Sequence, residues 1–113
     1  MYFNIQEINA SELADWMNQQ ENPFRVIDVR EIREISNGTI PGAEPMPLAT
    51  VPLHSQDLQP EEKLVFVCHS GARSAQACAF LQQQGFNNVY NLRGGMVNWA
   101  ANGLPAEVPQ LRF

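Results

Sequence analysis

Lys63-Leu64-Val65-Phe66-Val67-Cys68-His69-Ser70-Gly71-Ala72-Arg73-Ser74 reads as a strand, a turn and the start of a helix. The run up to Cys68 is apolar without alternation, the pattern of a strand covered on both faces. His69 to Ala72 interrupts it as a turn. Arg73 to Gln84 then reads as the clearest helix of the chain, with Gly85 as its stop. Its first half holds Ala75, Ala77, Cys78 and Ala79, small residues that suit close packing against a sheet.

The same alternation extends in both directions. Upstream, Asn4 to Ile8 is a weak strand entry. Ser11 occupies an N-cap position for a helix to Gln19, with Leu13, Trp16 and Met17 on one side. Phe24 to Val29 is a short β-branched run and reads as a buried strand. Glu31 to Ser36 has room for one or two helical turns before Asn37-Gly38. Pro41, Pro45 and Pro47 then limit the chain to a short extended piece, and Ala49 to Ser55 allows a short helix. Downstream, Asn88 to Leu92 is a strand, Gly94-Gly95 a turn, and Met96 to Ala101 a short helix closed by Gly103 and Pro105. Strands alternating with helices predict an α/β fold with a mostly parallel sheet. With 113 residues and no internal repeat or linker, one domain over residues 1–105 is expected, followed by an extended tail over 106–113.

Charge narrows the function. Lys63 is the only lysine, charged residues make up 17% of the chain and the net charge is −5, so no basic stripe for nucleic acid is present. No apolar run approaches the roughly 20 residues of a membrane span. Met1 to Glu7 lacks a signal-like basic and apolar pattern, and no lipidation motif stands at either end, so a cytoplasmic protein is expected. In that compartment Cys68 and Cys78 are expected as free thiols. Two histidines and two scattered cysteines make no zinc spacing, and no metal is expected.

In an open parallel sheet, ligands bind outside the carboxyl ends of the strands. Cys68 stands there, just ahead of a helix start. The amides of Ser70, Gly71, Ala72 and Arg73 lack helical partners and are available as donors. The helix adds about half a positive charge at that end. Such surroundings lower a cysteine pKa to roughly 3.5–7.5. Gly71 gives the turn backbone angles closed to other residues. A thiolate among amides is suited to attacking a sulfur atom and holding it as a persulfide.

The neighbours carry two readings each. Arg73 either binds an anionic donor or fastens the loop by pairing with an acid such as Asp28 or Glu34. His69 either adds charge at the mouth or is a solvated loop residue. Ser70 and Ser74 either donate to the bound sulfur or serve turn and cap. Asp28 reads as a brace behind the loop rather than a catalytic acid. Arg30 and Arg33 either steer anions or lie on the surface. Cys78, about two turns along the helix, favours packing over disulfide exchange. His54 has no partner for a metal, and Trp16 and Trp99 read as core or rim aromatics.

Cys68-His69-Ser70-Gly71-Ala72-Arg73-Ser74 resembles the active-site loop of single-domain rhodaneses. Val26-Ile27-Asp28-Val29-Arg30-Glu31 is similar to the family's Asp-x-Arg strand end. Gly38-Thr39-Ile40-Pro41-Gly42-Ala43 is similar to its Gly-His-Ile-Pro-Gly-Ala segment. Leu92-Arg93-Gly94-Gly95, with Trp99, Gly103 and Pro105, matches its C-terminal signature. Thr39 departs from the usual histidine, and Ile35 from a frequent aromatic. The resemblance implies a five-stranded sheet flanked by helices on both faces. It also implies transfer of a sulfane sulfur from thiosulfate, or a related small anionic donor, through a persulfide on Cys68. Cyanide or a thiol is the implied acceptor, the loop from His69 to Ser74 the implied substrate site, and no cofactor is implied. A carrier module fed by a protein donor is the alternative. Phosphatases and arsenate reductases of related fold place arginine after five residues, where this chain has Ser74; Arg73 follows after four.

Overall fold

In the computed structural model, which describes residues 4–19 and 22–110, the Leu64–Val67 run is the central strand of a five-stranded sheet. The strands are β1 (Gln6–Ile8), β2 (Arg25–Asp28), β3 (Glu44–Pro45), β4 (Leu64–Val67) and β5 (Val89–Leu92). Their order is β1-β5-β4-β2-β3, and every pairing is parallel. The helices are α1 (Ala10–Asn18), α2 (Ile32–Ile35), α3 (Val51–His54), α4 (Ala72–Gln83) and α5 (Gly95–Ala101). A single turn of 3₁₀ helix flanks α3 on each side.

The period-two alternation of side chains sorts each strand between two cores. Leu64 and Phe66 of the central strand, with Cys68 just past its end, pack with Ala77, Cys78 and Leu81 of α4 and Val51 of α3. Val65 and Val67 face the other way, toward Ala10 and Leu13 of α1 and Trp99 of α5. Helices therefore cover both faces of the sheet, which is why β4 carries no polar residue.

Two local readings change. The cap of α1 is Asn9 rather than Ser11. The Asn9 side chain accepts from the Glu12 amide at 2.8 Å while the Glu12 carboxylate accepts from the Asn9 amide at 2.9 Å. That reciprocal box satisfies both orphan amides, and Ser11 only donates to the Asn9 side chain. The segment after Pro105 folds back on the domain. Thr39 and Glu107 exchange backbone hydrogen bonds at 2.9 and 2.8 Å, and the Glu107 carboxylate accepts from the Gly42 amide at 3.0 Å. Residues 111–113 of the expected tail lie outside the described residues.

Candidate active site

Two helix starts converge on Cys68. At the head of α4, Gly71 adopts φ +108°, a left-handed angle that favours glycine, and its amide donates to the Cys68 Sγ at 3.0 Å. Ser74, in the first turn of α4, places its hydroxyl 3.3 Å from the same sulfur. At the head of α5, the amides of Met96 and Val97 donate to the carbonyls of Cys68 and His69 at 2.9 and 3.0 Å. A Cβ on Gly95 would stand 2.4 Å from the Cys68 carbonyl oxygen, so only glycine lets α5 approach this closely. The carbonyls of Cys68 and His69 are thus held from behind while the amides of Ser70 and Gly71 face the sulfur.

Cys68 is 1% exposed, and burial pushes its thiol up. Hydrogen bonds from the Ser74 hydroxyl and from the amides of Ser74, Gly71 and Ser70 outweigh that effect and hold it below the ordinary thiol range. His69, Ser70 and Ala72, on the loop around it, are exposed.

Arg73 forms the loop-fastening pair. Its two terminal nitrogens donate to the two Glu34 carboxylate oxygens at 2.7 and 3.0 Å, a bidentate pair. The Arg73 guanidinium holds the Glu34 carboxyl down at about 2. The folded value lies below the ordinary value of about 4.3, so this pairing stabilises above that value and is lost as pH falls toward 2. Glu34→Gln should therefore lower the urea midpoint at neutral pH and lower it progressively less as pH falls toward 2. The loss should be under about 1 kcal/mol, because the pair is one-third exposed. An equal loss at both ends would contradict the pairing.

Asp28 is fully buried and accepts from the Arg30 amide at 3.0 Å, from Arg30 Nη2 at 2.8 Å and from the Thr39 hydroxyl at 2.7 Å. Arg30 Nη2 also donates to the Gly38 carbonyl at 2.7 Å. The Asp28–Arg30 pair therefore braces the strand end beside Val67, to which Asp28 is registered. Anion steering by Arg30 does not fit, since its guanidinium is buried and engaged; Arg33 is exposed. Thr39 replaces the usual histidine with a hydroxyl donor to Asp28.

Cys78 lies one turn beyond Ser74, on the same helix face. Burial, then the charges of Glu7 and Cys68, push its thiol up to about 12, so it stays neutral and packs. His54 is exposed at the end of α3. An open depression of about 670 Å³ lined by Phe24, Arg25, Lys63 and Tyr90 lies at the amino ends of the strands, opposite Cys68.

Asn91 is the residue the sequence reading missed. It is 2% exposed and reaches both Ser74 and the Gly71 carbonyl. Its signal was available: one polar side chain inside the buried strand Val89-Tyr90-Asn91-Leu92.

The pattern of the rhodanese-like domain family matches residues 9–102. The chain is 39% identical over 106 residues to a sulfurtransferase of Allochromatium vinosum, covering 94% of this chain and 98% of that one. It is 30% identical over 76 residues to the thiosulfate sulfurtransferase GlpE of Pseudoalteromonas translucida, covering 67% of this chain and 72% of that one. A solved rhodanese-like domain protein from Staphylococcus aureus superposes with a TM-score of 0.83 at 29% identity, covering 94% of this chain and 100% of that one.

Proposed function

This chain belongs to the rhodanese-like domain family, and on that premise we propose that it is a sulfurtransferase carrying a sulfane sulfur on Cys68. The observation that supports this most is the Cys68 sulfur itself. It lies at the carboxyl end of the central strand and accepts from the Gly71 amide, with the Ser74 hydroxyl beside it. These donors favour the thiolate, which is the attacking form.

The thiolate attacks the outer sulfur of thiosulfate, or of a related donor. A new sulfur–sulfur bond forms on Cys68, the donor's own sulfur–sulfur bond breaks, and sulfite leaves with the electron pair. The loop amides from His69 to Arg73 hold the resulting persulfide anion, as an oxyanion hole holds its charge. Cyanide or a thiolate then attacks the outer sulfur, and the Cys68 thiolate departs. No metal or organic cofactor is needed for either displacement. The relative named for thiosulfate supports that donor class.

Two observations favour a protein persulfide donor as the second reading. Arg73 is committed to Glu34 and Arg30 to Asp28, which leaves the sulfonate of thiosulfate neither guanidinium. His69, Ser70 and Ala72 are exposed, so the loop offers side chains to a partner surface. A phosphatase reading fits less well, because the loop is one residue short and its arginine is already paired.

No helix among the described residues is long and apolar enough to cross a membrane. We place the reaction in the cytoplasm, with neither membrane nor nucleic acid as a partner.

Thiocyanate formation from thiosulfate and cyanide tests the covalent step. Parallel double-reciprocal lines are expected, the pattern of a carrier that releases sulfite before cyanide binds. Intersecting lines would contradict the covalent intermediate.

A further inference from the structure

Ser74 has one hydroxyl proton and two acceptors. Its Oγ lies 3.3 Å from the Cys68 Sγ and in close contact with Oδ1 of Asn91. The Asn91 amide is oriented from behind. Its Nδ2 donates to the Glu7 carboxylate at 3.0 Å and to the Gly71 carbonyl at 3.2 Å. Both of those partners only accept, so the NH₂ faces them and Oδ1 faces Ser74. Ser74 is fully buried and Asn91 nearly so.

We propose that Asn91, oriented by Glu7, is a positioning residue that competes with Cys68 for the Ser74 proton and so favours the sulfur-loaded state over the free thiolate. It rests on the reading of Cys68 as the sulfur carrier. A thiolate Sγ draws the Ser74 hydroxyl toward itself. Asn91 Oδ1 then faces an oxygen with no proton between them, inside a buried site where an unpaired acceptor is costly. Once sulfur is loaded, the negative charge moves to the outer atom. Sγ becomes a neutral bridging sulfur and a weak acceptor, and the Ser74 hydroxyl turns back to Asn91. No covalent bond changes in this exchange; one hydroxyl proton rotates between two acceptors. The Ser74–Asn91 bond is complete when the enzyme is loaded and broken when it is a free thiolate, and that difference biases the equilibrium.

Several charged or titratable groups surround this network. Arg73, paired with Glu34, and Cys78 lie on α4. Asp28 lies at the end of β2 with Arg30. Glu7 lies on β1, met by Arg93 at 3.3 Å. A double-mutant cycle holds these constant.

The experiment is the pH dependence of Cys68 alkylation by iodoacetamide, read at that residue by peptide mass. It compares the parent, Asn91→Ala, Ser74→Ala and the double variant. Asn91→Ala is expected to lower the Cys68 pKa by about one unit, roughly a tenfold gain in thiolate at a pH below it. Discharge of loaded sulfur to cyanide should quicken by a similar factor. Ser74→Ala should raise the pKa, and adding Asn91→Ala to it should change nothing.

A shift of the same size in the Ser74→Ala background would overturn the proposal, as would no shift or a rise in Asn91→Ala alone. Glu7→Ala, on the edge strand, removes one of the two acceptors that orient the amide without emptying the core. It should shift the pKa downward only while Ser74 is present. A shift that persists without Ser74 is the through-space loss of a carboxylate and also overturns it. The titration stays readable if the parent takes up no sulfur, so failure of the sulfur-carrier reading is distinguishable from failure of this one.

Discussion

Cys68→Ser is expected to lower sulfur transfer by at least about a thousandfold while the protein stays folded. The serine hydroxyl fits the same space and accepts from the Gly71 amide that now meets the sulfur at 3.0 Å. It differs in chemistry: it remains protonated at neutral pH and is a poor nucleophile toward sulfur. Cys78 does not rescue the reaction, because its buried thiol is pushed up to about 12 and lacks the thiolate form. Thiocyanate formation measures the loss, and an unchanged urea midpoint shows that folding is intact. A variant retaining a tenth of the parent rate would mean that the sulfur travels by another route.

Asp28→Ala carries the largest expected effect on stability, a loss of about 3–5 kcal/mol. Arg30 is 6% exposed, and its guanidinium would lose its counter-charge in a site closed to water. The Thr39 hydroxyl would lose its acceptor at 2.7 Å. The backbone amide of Arg30, which also donates to Asp28, would be orphaned. Urea unfolding at neutral pH checks the loss. A change below about 1 kcal/mol would show that the pair is solvated in solution.

The strand through Val67 and the helix after it were legible because their signals are local. An uninterrupted apolar run, a glycine turn and small residues at a helix start lie within a few positions of one another. Placement of Cys68 at the carboxyl edge followed from those alone. The cap of α1 is Asn9 and not the expected Ser11: both residue types are good caps, and only the reciprocal bond with Glu12 separates them.

The rest of the site depends on which strands lie side by side. Arg73 and Glu34 are 39 residues apart and meet because the helices after β2 and β4 start from neighbouring strands. Asp28 and Glu34 are both acids within the sequence pattern's reach of Arg73, and only the fold separates them. Asn91 meets Ser74 because β5 is registered against β4, with Asn91 beside Phe66. Glu7 joins them through the pairing of Glu7 with Asn91 across β1 and β5. Periodicity shows that a strand is buried; it does not show its neighbour or register. The local pattern and the family resemblance both point to the Cys68 loop, and the parallel register supplies what stands behind it.

The measurement that bears most directly on the central claim is intact mass spectrometry after thiosulfate treatment, with Cys68→Ser as control and a cyanide chase. The expected result is a gain of one sulfur atom on the parent, none on the control, and complete removal by cyanide. A parent protein that gains no sulfur while its Cys68 thiol remains reactive would contradict transfer from thiosulfate through that residue.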